Sequence, residues 1–232
     1  MKFETNVKDV TSQTHNVKSF RFPRATSLDY KAGQFMFVTI KSGKKELKKH
    51  FTISSSPTER DFIEFTKKLT GSNFSNALDA LEVGEWARID VPYGTFTFEG
   101  EFEKIGMLSG GIGITPIRSI CRYCTDMQLG TEIVVLYSNH FERDIIFRGE
   151  FEEMKERNEN LKVVFTVSEP SESWTGHKGR INTQIVEKEI PDYMERVFYI
   201  CGPSAMVEAM ETLLKNLDVP RKQVKKEKFP GY

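Results

Sequence analysis

Two spacings of apolar residues divide this chain. Up to about residue 98 they come in short bursts rich in β-branched and aromatic side chains: "KSFRF", "QFMFVTI", "HFTIS", "DFIEFTKKL" and "WARIDVP". Turn signals such as "KAG", "KSG", "SSSPTERD" and "VGE" stand between them. Many short, closely spaced strands predict an antiparallel β-barrel. One helix interrupts them at "SNFSNALDAL", where Ser and Asn caps precede apolar residues at helical spacing. After "FEGEFEK" the spacing changes. "IGMLSGG", "TEIVVLYS", "LKVVFTVS" and "RVFYICG" read as buried strands, and "QVKKEKF" as a last one. Between them "TPIRSICRYCTDM", "FRGEFEEMKERNE", "NTQIVEKEI" and "SAMVEAMETLLKNL" read as helices. Strands alternating with helices predict right-handed crossovers and a parallel sheet covered on both faces. The expected organisation is two domains, an antiparallel β-barrel over residues 1–100 and an α/β parallel-sheet domain over 104–232.

Composition narrows the function. The 232 residues carry 33 basic and 33 acidic side chains, a balance that argues against a general nucleic-acid binder. No apolar run approaches the length of a membrane span, and "MKFETNVKDV" has no export signal. Three cysteines, Cys121, Cys124 and Cys201, are too few for a disulfide framework, so a reducing cytoplasm is expected. The histidines at 15, 50, 140 and 177 lack zinc spacing, and no Cys-rich tail offers an iron–sulfur site, so no metal is expected. "CRYC" lies within a helix, away from the N-terminus where a redox pair is favoured, and reads as core thiols.

Two strand-to-helix turns carry the candidate chemistry. In "LSGGIGITP" a buried strand runs into glycines and then a helix with Pro116 in its first turn, where a missing N–H costs nothing. Glycines let backbone N–H groups approach a phosphate, and a helix N-terminus adds positive potential. The segment is not a G-x-G-x-x-G fingerprint, and such turns also arise for packing. "YICGPSAM" is a second turn of this kind, and turns at the carboxyl ends of parallel strands line the ligand crevice. Cys201 reads either as a rim residue there or as a small buried cysteine.

Taken in order, "KHFTISS", "GSNFSNAL", "VPYGTF", "GGIGITP", "WTGHKGRI", "CGPSAM" and "EKFPGY" resemble the ferredoxin–NADP reductase-like flavin oxidoreductases over nearly the whole chain. That resemblance implies a flavin-binding barrel joined to a nicotinamide-nucleotide-binding α/β domain. It matches Lys49, His50, Phe51, Thr52 and Ser55 to the family's flavin motif. Lys49 stands where an arginine meets the flavin diphosphate, Phe51 where a tyrosine lies against the ribityl chain and ring, and Thr52 near flavin N5. Lysine is a point charge without arginine's fork, and phenylalanine lacks the tyrosine hydroxyl. Thr66 and Lys68 match strand positions beside the flavin, and Asn73, Phe74 and Ser75 match a helix entrance beneath its diphosphate, which implies FAD rather than FMN. Gly110, Gly111, Gly113, Thr115 and Pro116 match the turn under the nicotinamide dinucleotide. Cys201, Gly202, Pro203 and Met206 match the second turn, beside the nicotinamide ring.

The second strand of the α/β half ends on Ser138, Asn139 and His140 with Arg143 soon after, which leans to NADPH over NADH, although Glu142 and Asp144 blunt the point. By resemblance the last residue, Tyr232, stacks on the flavin where nicotinamide must arrive. The implied activity is that of an FAD-dependent NAD(P)H oxidoreductase, with Thr52, Cys201 and Tyr232 about the reacting atoms and electrons passing to a redox protein such as ferredoxin. The lysines of "KSGKKELKK" can steer an acidic acceptor or simply guard a hairpin edge. Alternative readings are an electron-transfer subunit of a larger reductase complex and a flavin-holding module without turnover.

Overall fold

The computed structural model describes residues 1–230. Seven strands build its first part: β1 (Lys2–Asn6), β2 (Asp9–Thr14), β3 (Val17–Pro23), β4 (Phe35–Ser42), β5 (Lys45–Thr52), β6 (Phe62–Lys68) and β7 (Trp86–Tyr93). They form two antiparallel sheets, β1-β7-β4-β5 and β2-β3-β6, linked by a bridge between Ile53 and Phe65. Alternate residues of a strand face opposite sides. In β4, Met36, Val38 and Ile40 are accordingly fully buried, while Phe35 and Phe37 stand half-buried on the outer face. Phe20, Phe22 and Phe65 stack in the core with centroids 5.1 and 6.0 Å apart, and burying each such ring stabilises by about 1.5–3 kcal/mol.

The helix α1 (Asn73–Asp79) is capped by the Ser72 hydroxyl, which accepts the Ser75 N–H, and buries Phe74 and Leu78. Strands β1 and β2 were not expected from the sequence. Both lie on sheet edges, bury no residue fully, and so carry almost no apolar alternation. Strand β5 also starts earlier than "HFTIS" suggests, because it takes in the lysine-rich stretch, which pairs with β4 from Lys45 onward.

In the second part, β8 (Lys104–Gly110), β9 (Glu132–Asn139), β10 (Leu161–Val167), β11 (His177–Lys178), β12 (Val197–Pro203) and β13 (Val224–Phe229) form one sheet in the order β11-β10-β9-β8-β12-β13. Every pairing in it is parallel. It is flanked by α2 (Ile114–Asp126), α3 (Arg148–Arg157), α4 (Thr183–Glu189) and α5 (Ser204–Asn216). Only the two-residue β11 has no counterpart in the sequence reading. A 3-10 turn over Gly111–Gly113 precedes α2, which begins two residues before Pro116.

The two parts share a core: Val17, Ala32, Phe96 and Phe98 pack in one cluster with Ile105, Ile117, Ile120 and Tyr199. The Tyr199 hydroxyl donates to the Thr97 carbonyl at 2.9 Å across the junction. Among the described residues no helix is long and apolar enough to cross a membrane.

Candidate active site

The chain leaves β8 in one direction to build β9, β10 and β11, then returns to its other side for β12 and β13. Such a reversal opens a crevice outside the carboxyl ends of the strands. The glycine turn after β8 and the start of α5 after β12 meet there. Two clefts adjoin at this point, and Ile112 lines both.

The first cleft, about 910 Å³, runs between the barrel and α2. Its barrel wall includes Lys49, His50, Phe51 and Thr52 of β5. Thr52 is buried, and its hydroxyl has no hydrogen-bond partner among the described residues. A buried, unsatisfied hydroxyl is costly unless a ligand completes it. The Phe51 ring stacks on Phe65 at 4.5 Å and lies 5.5 Å from Phe74, so it forms a fixed apolar wall. His50 points outward, 5.5 and 5.8 Å from the rings of Phe35 and Phe37. Thr66 contributes main chain only, because its hydroxyl is committed to Ser19 at 2.7 Å and Ser54 at 3.0 Å.

Ser55 does not face the cleft. It is fully buried, and its hydroxyl accepts the Glu64 N–H at 3.0 Å and meets the Tyr30 hydroxyl at the same distance. Asn73 and Phe74 border a shallow groove beside Lys49 and Ser72. Ser75 serves its own turn, with its hydroxyl accepting the Thr70 N–H.

The second cleft, about 470 Å³, is lined by Gly110, Gly111, Ser138, Asn139, Pro203 and Met206. Gly111 has φ of +51° with nothing near the position of an added Cβ, so its backbone is open to a ligand. Gly113 is the reverse case: an added Cβ would sit 2.2 Å from the Cys201 carbonyl oxygen. That glycine lets the turn press against β12. Gly202 packs beside the Gly110 carbonyl and Met206. Thr115 faces the first cleft with its hydroxyl donating to the Ile112 carbonyl at 3.1 Å, and Pro116 is buried in the first turn of α2.

As with Ser55, the structure decides the place of three further residues. Cys201 lines neither cleft. It is fully buried, and burial, then the neighbouring Glu227 charge, holds its thiol protonated. Arg143 stacks on Phe141 at 4.7 Å, and it is Arg180 that lines the second cleft. Lys68 lies on the wall of the second cleft, and its neighbour Lys67 on that of the first, because consecutive strand residues face opposite ways. Tyr232 lies outside the described residues.

Two residues of the first cleft escaped the sequence reading. Lys67 is 5% exposed, and burial followed by the charges of Lys49 and Lys68 brings its ammonium down to about 8. Glu227 of β13 sits opposite Cys201. Its Oε2 is buried with no partner among the described residues, and burial pushes its carboxyl up to about 7. An acid among the lysines of the last strand was the one available signal.

This arrangement fits a flavin and a nicotinamide dinucleotide. An orphan hydroxyl and an apolar wall stand beside lysines in one cleft, and an open glycine turn lies in the other. The fold and site therefore define a two-cleft flavin–nicotinamide oxidoreductase. Residues 4–98 match the oxidoreductase FAD-binding domain, and residues 107–212 the oxidoreductase NAD-binding domain. The chain belongs to the ferredoxin–NADP reductase-like family of FAD- and NAD(P)-binding oxidoreductases.

It is 31% identical over 213 residues to the glycine betaine monooxygenase reductase subunit of Pseudomonas aeruginosa, covering 89% of this chain and 58% of that protein. The chain thus spans little more than half the length of that relative. It is 30% identical over 226 residues to NADH-cytochrome b5 reductase 1 of Dictyostelium discoideum, covering 93% and 77% of the two chains. Among solved structures, the ferredoxin reductase in carbazole 1,9a-dioxygenase superposes with TM-score 0.84 at 25% identity, over 99% of this chain and 69% of that one. The Neisseria gonorrhoeae ferredoxin NADP+ reductase with bound FAD and NADP superposes with TM-score 0.83 at 21% identity, over 100% and 99%.

Proposed function

We propose that this chain takes electrons from NADPH through FAD and delivers them singly to an acidic redox protein of the ferredoxin type in the cytoplasm. The observation that carries the reading is the meeting of the two clefts at Ile112, with Thr52 lining the first from the barrel and Thr115 lining it from α2. Bound FAD supplies the conversion of a hydride from nicotinamide into two single-electron steps. The protein aligns the partners.

Lys49 and Lys67 would hold the flavin diphosphate, Phe51 would wall the ring, and the Thr52 hydroxyl would donate to it. Backbone N–H groups of the Gly110–Gly113 turn meet the dinucleotide phosphates, with Pro203 and Met206 as the opposite wall. With its carboxyl raised to about 7 by burial, Glu227 can take up or release a proton in the first cleft around neutral pH. The preference for NADPH rests on the second cleft, whose lining includes Arg180, His140, Ser138 and Ser168. The one carboxylate there, Asp144, already accepts the Phe141 N–H and lies 3.8 Å from His15. His140 lies 3.4 Å from Glu169, so Arg180 is the cation offered to a ribose 2′-phosphate.

The test is to purify the protein, identify the released chromophore, and titrate anaerobically with each nicotinamide. FAD should be found, and NADPH should bleach it at a concentration about tenfold below NADH. A colourless protein, or a flavin untouched by both, sinks the reading.

For the acceptor, Lys41, Lys44 and Lys45 sit exposed at the β4–β5 turn, and Lys48 and Lys49 follow along β5 toward the first cleft. Changing Lys41, Lys44 and Lys45 together to glutamine should slow reduction of an acidic acceptor severalfold at low salt and flatten its salt dependence, with ferricyanide reduction unchanged. An unaltered salt slope counts against the patch. A second reading, a subunit of a larger reductase complex, is favoured by the likeness to the Pseudomonas protein, which is named a reductase subunit.

A further inference from the structure

Arg118 lies on α2, three residues beyond Thr115, and is 2% exposed. Its guanidinium joins three elements. Nη1 donates to the Ser54 carbonyl at 3.0 Å and to Glu59. Nη2 donates to Glu59 Oε1 at 3.0 Å and to Glu150 Oε2 of α3 at 2.5 Å, and Nε donates to the same Glu150 oxygen at 2.8 Å. The next residue repeats the link: the Ser119 hydroxyl donates to the Ser55 carbonyl at 2.7 Å. One end of α2 adds a third tie, from the Thr58 hydroxyl to Asp126 at 2.6 Å.

The geometry is that of a ruler. Ser54 and Ser55 follow Thr52 by two and three residues, and Arg118 and Ser119 follow Thr115 by three and four. Thr52, at the end of β5, lines the first cleft from the barrel, and Thr115 lines it from α2. The bonds therefore tie the strand exit behind one wall to the helix behind the other.

We infer that Arg118, assisted by Ser119, is a positioning residue that sets the distance between the flavin wall and the nicotinamide turn. This rests on the flavin–nicotinamide reading above and adds a residue to it. Apolar contacts between the halves, such as Phe96 and Phe98 against Tyr199, supply adhesion without direction. A buried ion pair adds little net stability, and its best-attested use is to fix registry. Burial opposes the charge on Arg118, but the Glu59 hydrogen bond and the charges of Glu150 and Glu59 outweigh it and keep the guanidinium protonated. The planar fork spreads its donors in fixed directions toward Ser54, Glu59 and Glu150. Lysine keeps the charge and loses the fork.

The test uses Arg118→Lys and Ser119→Ala in the full chain loaded with its flavin. With both flavin content and nicotinamide affinity within about threefold of the parent, Arg118→Lys should reduce flavin about tenfold or more slowly at saturating nicotinamide. Ser119→Ala, which removes one neutral bond, should slow it severalfold. The long-wavelength absorbance of stacked flavin and nicotinamide should weaken in both.

A second readout needs no turnover. Trp86 stands in the barrel and Trp174 in the α/β part, so Trp174→Phe and Trp86→Phe leave one reporter in each. Their unfolding transitions should coincide in the parent and separate when Arg118→Met is added. Saturated rates within twofold of the parent in both mild variants overturn the proposal. So does a split transition with unchanged rates, which assigns Arg118 to stability alone. Failure of the parent to bind flavin is a different result and strikes the function reading instead.

Discussion

Glu227→Gln should make the protein more stable at pH 8 and leave it almost unchanged near pH 4. The Glu227 carboxyl is raised from 4.5 to about 7 by burial. With the folded value above the unfolded one, the unfolded chain ionises first as pH rises. Stability is therefore lost progressively from about pH 4.5 to about pH 7, and the penalty is complete above that. A shift of this size corresponds to about 3 kcal/mol, and residual exposure of the side chain lowers the expected gain to about 2 kcal/mol. The amide inherits the missing partner of Oε2 but not its charge. Urea unfolding at pH 4, 6 and 8 measures this, and a difference independent of pH refutes it. On the function reading, the same substitution should also remove a step near pH 7 from the pH profile of flavin reduction. A gain in stability beside a loss of pH response would mark Glu227 as a residue kept for its chemistry, since polar groups without partners are expensive to bury.

Gly113→Ala should have the opposite character, losing stability and nucleotide binding together. The added methyl would lie 2.2 Å from the Cys201 oxygen and 2.5 Å from the Gly202 Cα. Both are backbone atoms in a central strand and cannot swing aside. Either the turn after β8 or the end of β12 must move, at a cost of about 3 kcal/mol. Both belong to the second cleft, so nicotinamide affinity should fall at least tenfold. Gly111→Ala is the control. Space is open there, but φ is +51°, so only backbone strain of about 1 kcal/mol is expected. Thermal unfolding of the two variants separates crowding from strain, with equal losses of stability refuting the packing argument, and nicotinamide titration of Gly113→Ala checks the loss of binding.

Much of the fold could be read along the chain because its signals are local. A period of two with frequent turns marks β3, β4, β6 and β7, and the change of period near residue 100 marks the parallel sheet. Edge strands β1 and β2 had no such signal, since an edge buries one face only in part. The glycine turns of the site were legible because a strand ending in glycine before a helix states its own geometry. Cys201 was legible both as a rim residue at that turn and as a small buried cysteine, and the structure decides for the second, with Gly113 closing against β12.

Sequence alone determined that this is a barrel followed by a doubly covered parallel sheet, with glycine-bearing strand-to-helix turns after β8 and β12, because periodicity and turn chemistry are properties of neighbours in the chain. Only the tertiary structure decided that Lys67 and Lys68 line different clefts, that Arg180 and not Arg143 lines the second, and that Glu227 Oε2 and Arg118 are buried with opposite fates. One of these two finds no partner among the described residues, and the other is held by two carboxylates from distant segments. The physical reason is that burial and charge partners are set across the fold, by strand register and by the seam between the two halves.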